Sequence, residues 1–375
     1  MSLKNKLLRQ FPFLTKLNGF KNLKKTLTSI KRIKQVLIYK KMDFDTISLT
    51  KENFDIFKKS FLKFVWSQPE DADLPLLFFE TKIKPISNKI DIKSLSEFDP
   101  LLICVVKNDI DRVKMILKHY RNIGIKGFVF VDNMSTDGTS EYLTKQNDVD
   151  LFICETSYTT KNREAWINRV IGHYGFDRWY LCVDSDELFI YENYDKIIIS
   201  EFIKTLKKRR VLSFLLDMYS KEYLFMNDVK SDEIIKKYCY FDTGTYCHRS
   251  NYKMEIISGG PRQRVFFENN NNTFMLTKYP LFYFEKGDIQ CCSHYQFPYK
   301  ENFGFECKTA LLHYKFLKSD LDKYLERAKI GNYANGSFEY KKYAELYSNG
   351  QKISLYNSES AKFENYESLN KIKWK

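Results

Sequence analysis

The chain's eight cysteines include no Cys-x-x-Cys pair, which removes the common zinc-ribbon and dithiol-redox classes. Cys104, Cys154 and Cys182 instead sit inside apolar runs (LLICVV, LFICE, WYLCVD), where a thiol behaves as a small core hydrophobe. That usage fits a reducing, cytoplasmic compartment. No apolar run approaches the ~18 residues of a membrane span, and the N-terminus lacks the unbroken apolar stretch of a signal peptide. A soluble protein is expected, or one peripheral on the inner face of a membrane. Acid is missing from residues 1–42, which hold twelve Lys or Arg. The rest of the chain carries 49 bases against 47 acids, so the net charge of +14 belongs to that arm and the body is near neutral. A nucleic-acid enzyme carries basic surface around its working site, so nucleic acid is not an expected partner.

What is present is enough apolar and aromatic residue, 43% and 16%, to fill a sizeable core. In residues 1–42, Leu7, Phe11, Leu14, Leu17, Phe20, Leu23, Leu27, Ile30, Ile33 and Leu37 recur every three or four positions. This predicts a basic amphipathic helical arm. Such a stripe suits an anionic membrane surface or, equally, a packed helix with a solvated basic face. Residues 43–97, interrupted by Pro69, Pro75 and Pro85, read as an irregular lead-in of short strand-like pieces. Residues 331–375 read as a C-terminal tail.

Between them, residues 98–330 keep a regular rhythm. PLLICVVKN, GFVFVDN, DLFICE and RWYLCVDSDE read as strands. DIDRVKMILKHYRNIG, DGTSEYLTKQ and NREAWINRVIGHYG read as the intervening helices. Alternation of this kind predicts an α/β fold with a mostly parallel sheet, which binds ligands at the carboxyl ends of its strands. Those ends carry Lys107-Asn108-Asp109, Asp132-Asn133 and Asp184-Ser185-Asp186-Glu187. Three carboxylates in four positions repel one another and favour a cation. Oxygen ligands suit Mg²⁺ or Mn²⁺, which neutralise a departing diphosphate. Ser135 to Gly138 are explained by a capped turn. Asp132 is not, and its carboxylate can take a uracil imide or a ribose hydroxyl.

The VKND, VDNMSTDGT and VDSDE segments, in this order and spacing, resemble the nucleotide-sugar domain of GT-A glycosyltransferases. The likeness is closest to family 2 and the related family 92. It is specific over residues 100–190 and looser over 210–330. It implies a Rossmann-like GT-A fold, a nucleotide-sugar donor (a UDP-sugar), a glycan or lipid-linked acceptor of bacterial surface polysaccharide, and inversion at the anomeric carbon. By position, Asn108 and Asp132 then cradle the nucleoside, and Asp184 and Asp186 bind ribose and metal-diphosphate. Arg163, on the helix before the fourth strand, joins the donor set. Family 92 usually has Lys-Asn-Glu where this chain has Lys-Asn-Asp. Such enzymes often recruit a late His for the metal and a nearby Lys for the diphosphate, which implies His313 and Lys315. His294 is assigned to the acceptor side.

Arg262 and Arg264, two apart in SGGPRQRVF, are expected to share one face of a strand and to meet a phosphate or an acceptor. A similar Gly-Arg segment in family 92 precedes a Lys-x-Pro-Leu stretch, here Lys278 to Leu281. An inverting transferase needs a base. Asp217, at a strand end, and Glu285 and Asp288, in a loop, are the candidates. Two rivals remain. A sugar-phosphate nucleotidyltransferase would carry a Gly-rich phosphate loop after the first strand, and VVKNDIDRV has no glycine. A non-catalytic glycan-binding protein would have no need of Asp184 and Asp186.

Overall fold

The computed structural model describes residues 23–39, 47, 49–68, 71, 73–226, 229–267, 274–306, 308–331 and 334–374. The reading of residues 1–22 as an amphipathic arm lies outside this set, as do residues 40–42. Three helices come first: α1 (Leu23–Ile38), α2 (Lys51–Ser67) and α3 (Asp73–Glu80). The segment read as strand-like is therefore largely helical. Phe54, Phe57, Phe61, Phe64 and Val65 recur at helical spacing and are buried, and Thr50 caps the first turn through the Asn53 amide. Pro75 falls in the first turn of α3, where a missing N–H costs nothing. A two-residue edge strand, β1 (Lys84–Pro85), follows.

The alternating unit forms as its periodicity predicts: β2 (Leu101–Val106), α4 (Ile110–Asn122), β3 (Gly127–Asp132), α5 (Thr139–Thr144), β4 (Val149–Ile153), α6 (Thr160–Tyr174) and β5 (Arg178–Val183). β6 (Glu187–Tyr191), α7 (Ile199–Lys204), β7 (Arg210–Asp217) and α8 (Asp232–Lys237) come next. Then come β8 (Tyr240–Asp242), β9 (Thr245–Ser250), β10 (Glu255–Gly259), α9 (Gly260–Phe266) and β11 (Thr277–Phe284). The chain closes with β12 (Ile289–Gln290), β13 (Gln296–Phe297), β14 (Thr309–His313), α10 (Asp320–Ile330), α11 (Ala334–Ser348), β15 (Ser360–Lys362) and β16 (Lys373–Trp374).

Among the described residues one nine-stranded sheet has the order β1-β4-β3-β2-β5-β11-β7-β14-β6. β2, β3, β4 and β5 are mutually parallel, and β7 runs parallel to β14. β11 lies antiparallel between β5 and β7, while β1 and β6 are antiparallel edges. This is a mixed α/β architecture with a large, mostly parallel central sheet flanked by helices, compatible with a Rossmann-like fold. Successive side chains serve opposite faces. Leu102, Cys104, Val106, Leu181 and Val183 pack with α4 and α7, whereas Leu101, Ile103, Tyr180 and Cys182 pack with α2, α3 and α6. Both faces are covered, which is why these strands read as near-continuous apolar runs.

Ile33 and Val36 of α1 are buried in the second of these cores, so that part of the apolar stripe is used for packing. No helix of the described residues is long and apolar enough to cross a membrane. The segment read as a tail is built into the body: β15 pairs with β8, β16 pairs with β9, and Tyr343 of α11 is buried beside Phe266, Phe316 and Tyr324.

Candidate active site

The chain runs from β2 outward to β4 and then returns to the other side of β2 as β5. The carboxyl ends of β2 and β5 therefore flank a topological switch point, where sheets of this kind form a crevice. A cavity of about 940 Å³ opens there. Its walls include Lys107 to Asp109, Asn133, Asp184 to Glu187, Arg163, Lys278, His294, His313 and Lys315. Lys278 reaches it because β11 is antiparallel, so that the amino end of β11 meets the carboxyl ends of its neighbours.

Strand register assembles the centre. His313 stands beside Glu187 on one neighbour and Asp217 on the other. Its Nδ1 donates to Asp217 Oδ1 at 2.7 Å and its Nε2 faces Asp186 Oδ2 at 3.3 Å. Burial alone would lower the imidazole pKa, but the Asp186 and Asp217 carboxylates outweigh it and raise it to about 9. Burial would likewise raise the Asp186 carboxyl, yet His313, Arg112 and Lys315 hold it below the usual carboxylate range. Asp186, Glu187 and His313 each offer a ligand atom, and these atoms lie within 4.8 Å of one another. Two carboxylates and an imidazole form a donor set that fits a divalent cation. The sequence reading named Asp184, Asp186 and His313 for the metal; the ligand atoms that lie together here are those of Asp186, Glu187 and His313.

Asp184 does something else. Arg163 Nη2 bonds its Oδ1 at 2.7 Å, and Lys278 Nζ bonds its Oδ2 at 2.7 Å. Burial opposes ionisation, but those two cations keep its pKa below the ordinary range. Lys278 also donates to Glu187 Oε1, while Glu187 Oε2 accepts the Asp184 amide at 3.0 Å. Lys278 is thus an internal counter-ion for two acids, a role that the sequence alone left unassigned. Arg163 continues to Glu164 at 2.8 Å.

The remaining assignments divide. Lys315 lines the cavity and donates to Glu339 at 2.8 Å. His294 lines it too, its Nδ1 donating to the Thr277 carbonyl at 2.7 Å. Burial and the Lys278 charge pull the His294 pKa down to about 4. Asn108 lines the cavity, but its Oδ1 accepts the Thr136 amide at 2.7 Å, so it also ties down the loop after β3. Asp132 does not reach the cavity. It is fully buried and accepts from Ser135 and Ser140, and Asn133 takes the wall position instead. Ser135, read from the sequence as part of the capped turn, thus also satisfies this carboxylate.

Arg262 and Arg264 are on a helix, α9, begun by Pro261 at its first turn, and not on a strand. Two residues apart on a helix diverge. Arg262 lines the cavity and pairs with Asp217 at 2.7 Å, whereas Arg264 turns to Asp242 at 2.9 Å. Asp217 has both oxygens engaged, by His313 and Arg262, and is 1% exposed, so it offers no free oxygen as a base. Glu285 and Asp288 follow the carboxyl end of β11, which meets the amino ends of β5 and β7, the sheet edge opposite the cavity. There Asp288 pairs with Arg209 and Arg210.

No protein-family model and no curated protein matches the sequence. Among solved structures, the crystal structure of S. aureus TarS 1-349 aligns at 17% identity and a TM-score of 0.22. The alignment covers 36% of this chain and 43% of that one.

Proposed function

We propose that the chain is a glycosyltransferase that moves a sugar from a nucleotide donor, most simply a UDP-sugar, to a glycan or lipid-linked acceptor of bacterial surface polysaccharide. The observation that carries this reading is the placement of Asp184, Asp186 and Glu187. They stand at the carboxyl end of the fourth parallel strand, beside His313, in a cavity large enough for a nucleotide sugar. The resemblance of these segments to GT-A families 2 and 92 supports it. In this reading Asp186, Glu187 and His313 hold Mn²⁺ or Mg²⁺, which when bound neutralises charge on the departing diphosphate. Arg163 and Lys278 keep Asp184 ionised and fixed in place. Inversion at the anomeric carbon is proposed from the resemblance.

Incubation with a panel of UDP-sugars and Mn²⁺ tests the reading by release of UDP. Release from at least one donor, stopped by EDTA and by Asp186→Ala, is the expected result. Release unaffected by both would contradict it.

A further inference from the structure

Glu339 lies in the segment that the sequence presented as a tail, yet its carboxylate forms part of the cavity wall. Lys315 Nζ at 2.8 Å, Arg262 Nη1 at 3.1 Å and the Tyr343 hydroxyl all donate to one oxygen, Oε1. No described residue donates to Oε2. The side chain of Glu339 is 20% exposed, while those of its two cations are 8% and 6% exposed. Two nearly buried cations thus converge on one carboxylate that the cavity can reach.

We propose that Glu339 occupies the seat of the donor's diphosphate, on Arg262 and Lys315, and is displaced when a nucleotide sugar binds. The proposal rests on the donor reading above. Both cations adjoin the candidate metal trio: Lys315 follows His313 by two residues, and Arg262 shares Asp217 with it. In the donor-free protein Arg262 is paired with Asp217 and Glu339, and Lys315 is paired with Glu339. Both cations are therefore already paired, and an incoming diphosphate can engage them fully only when one carboxylate leaves. Asp217 is locked in β7, an interior strand paired on both sides. Glu339 rides on α11, outside the sheet, and is the acid that can yield without breaking strand pairing. A carboxylate and a phosphate present the same acceptor chemistry to Arg and Lys, which is what lets one stand in for the other.

Calorimetric titration of the full chain with inorganic pyrophosphate, and with UDP plus Mn²⁺, tests the exchange. Glu339→Gln keeps the shape and removes the charge, and about tenfold tighter binding of both ligands is expected, an expectation sized on the charge pairing involved. Lys315→Ala is expected to weaken both. If Glu339→Gln binds neither ligand more tightly than the parent protein, the proposal is overturned. Should that variant fail to fold, amide exchange of the parent protein decides. Faster exchange in α11 with pyrophosphate bound supports displacement, and unchanged or slower exchange overturns it. If UDP binds no form while pyrophosphate binds Glu339→Gln more tightly, the anion seat stands and the nucleotide reading falls. If UDP binds the parent and the variant equally, the seat falls and the nucleotide reading stands.

Discussion

The Nδ1 of His313 lies 2.7 Å from Asp217 Oδ1, across two parallel strands in register. That hydrogen bond turns the other nitrogen toward Asp186. A carboxylate behind a histidine of this kind fixes the tautomer and ring angle of a metal ligand. Asp217→Asn is therefore expected to weaken Mn²⁺ affinity by roughly 10- to 100-fold. Calorimetric titration with Mn²⁺ measures this, and unchanged affinity would remove Asp217 from that role.

Lys278 gives a prediction about stability. It is buried between Asp184 and Glu187, so Lys278→Met leaves two acids without their shared counter-ion. Breaking one side of a buried pair typically costs about 3–5 kcal/mol. Denaturant unfolding in EDTA should show a loss of that order. Added Mn²⁺ should restore more stability to the variant than to the parent, because Glu187 has then lost the cation bonded to it and Asp184 is left with Arg163.

Stability should also fall in mildly acidic buffer, for a reason distant from the metal trio. His119 Nε2 donates to the Phe189 carbonyl at 2.9 Å, and burial lowers its pKa to about 4. An unfolded histidine titrates near 6.5, so between pH 6.5 and 4 the unfolded chain binds a proton that the folded one refuses. The His119 contribution to unfolding free energy should be flat above pH 6.5 and decline as pH falls through that window. His119 contributes roughly 1–3 kcal/mol of the decline. His119→Asn should make the decline shallower, leaving the part due to His294, as followed by urea titrations at several pH values. An unchanged slope would show that His119 is not the group responsible.

The alternating unit was legible because strands buried on both faces leave long apolar runs, and turn residues punctuate them cleanly. The acids at the end of β5 were legible for the same reason. What sequence missed were matters of register and of which oxygen a partner takes. Glu187 enters the trio only because β6 turns back against β14. Asp132 looked free because Ser135 had been assigned to the turn and nothing in the sequence marked Ser140 as its partner. Arg262 and Arg264 looked like strand residues because spacing of two carries no signal in a segment only seven residues long. The helical spacing of Phe54, Phe57, Phe61 and Phe64 was present in residues 43–97 and was obscured by the prolines around it. Nothing local marked Glu339, whose place depends on contacts with Arg262 and Lys315, distant in sequence.

The most direct measurement is thermal unfolding of the parent protein and of Asp186→Ala with UDP, GDP, CDP and CMP, each with and without Mn²⁺. A ligand at ~100 times its dissociation constant adds about 2.7 kcal/mol of stability, which a melting curve resolves. Stabilisation by UDP that requires Mn²⁺ and vanishes in a folded Asp186→Ala variant is the predicted result. The same stabilisation in Asp186→Ala, or none with any nucleotide in the parent protein, would contradict a metal-dependent nucleotide-sugar site at the end of β5.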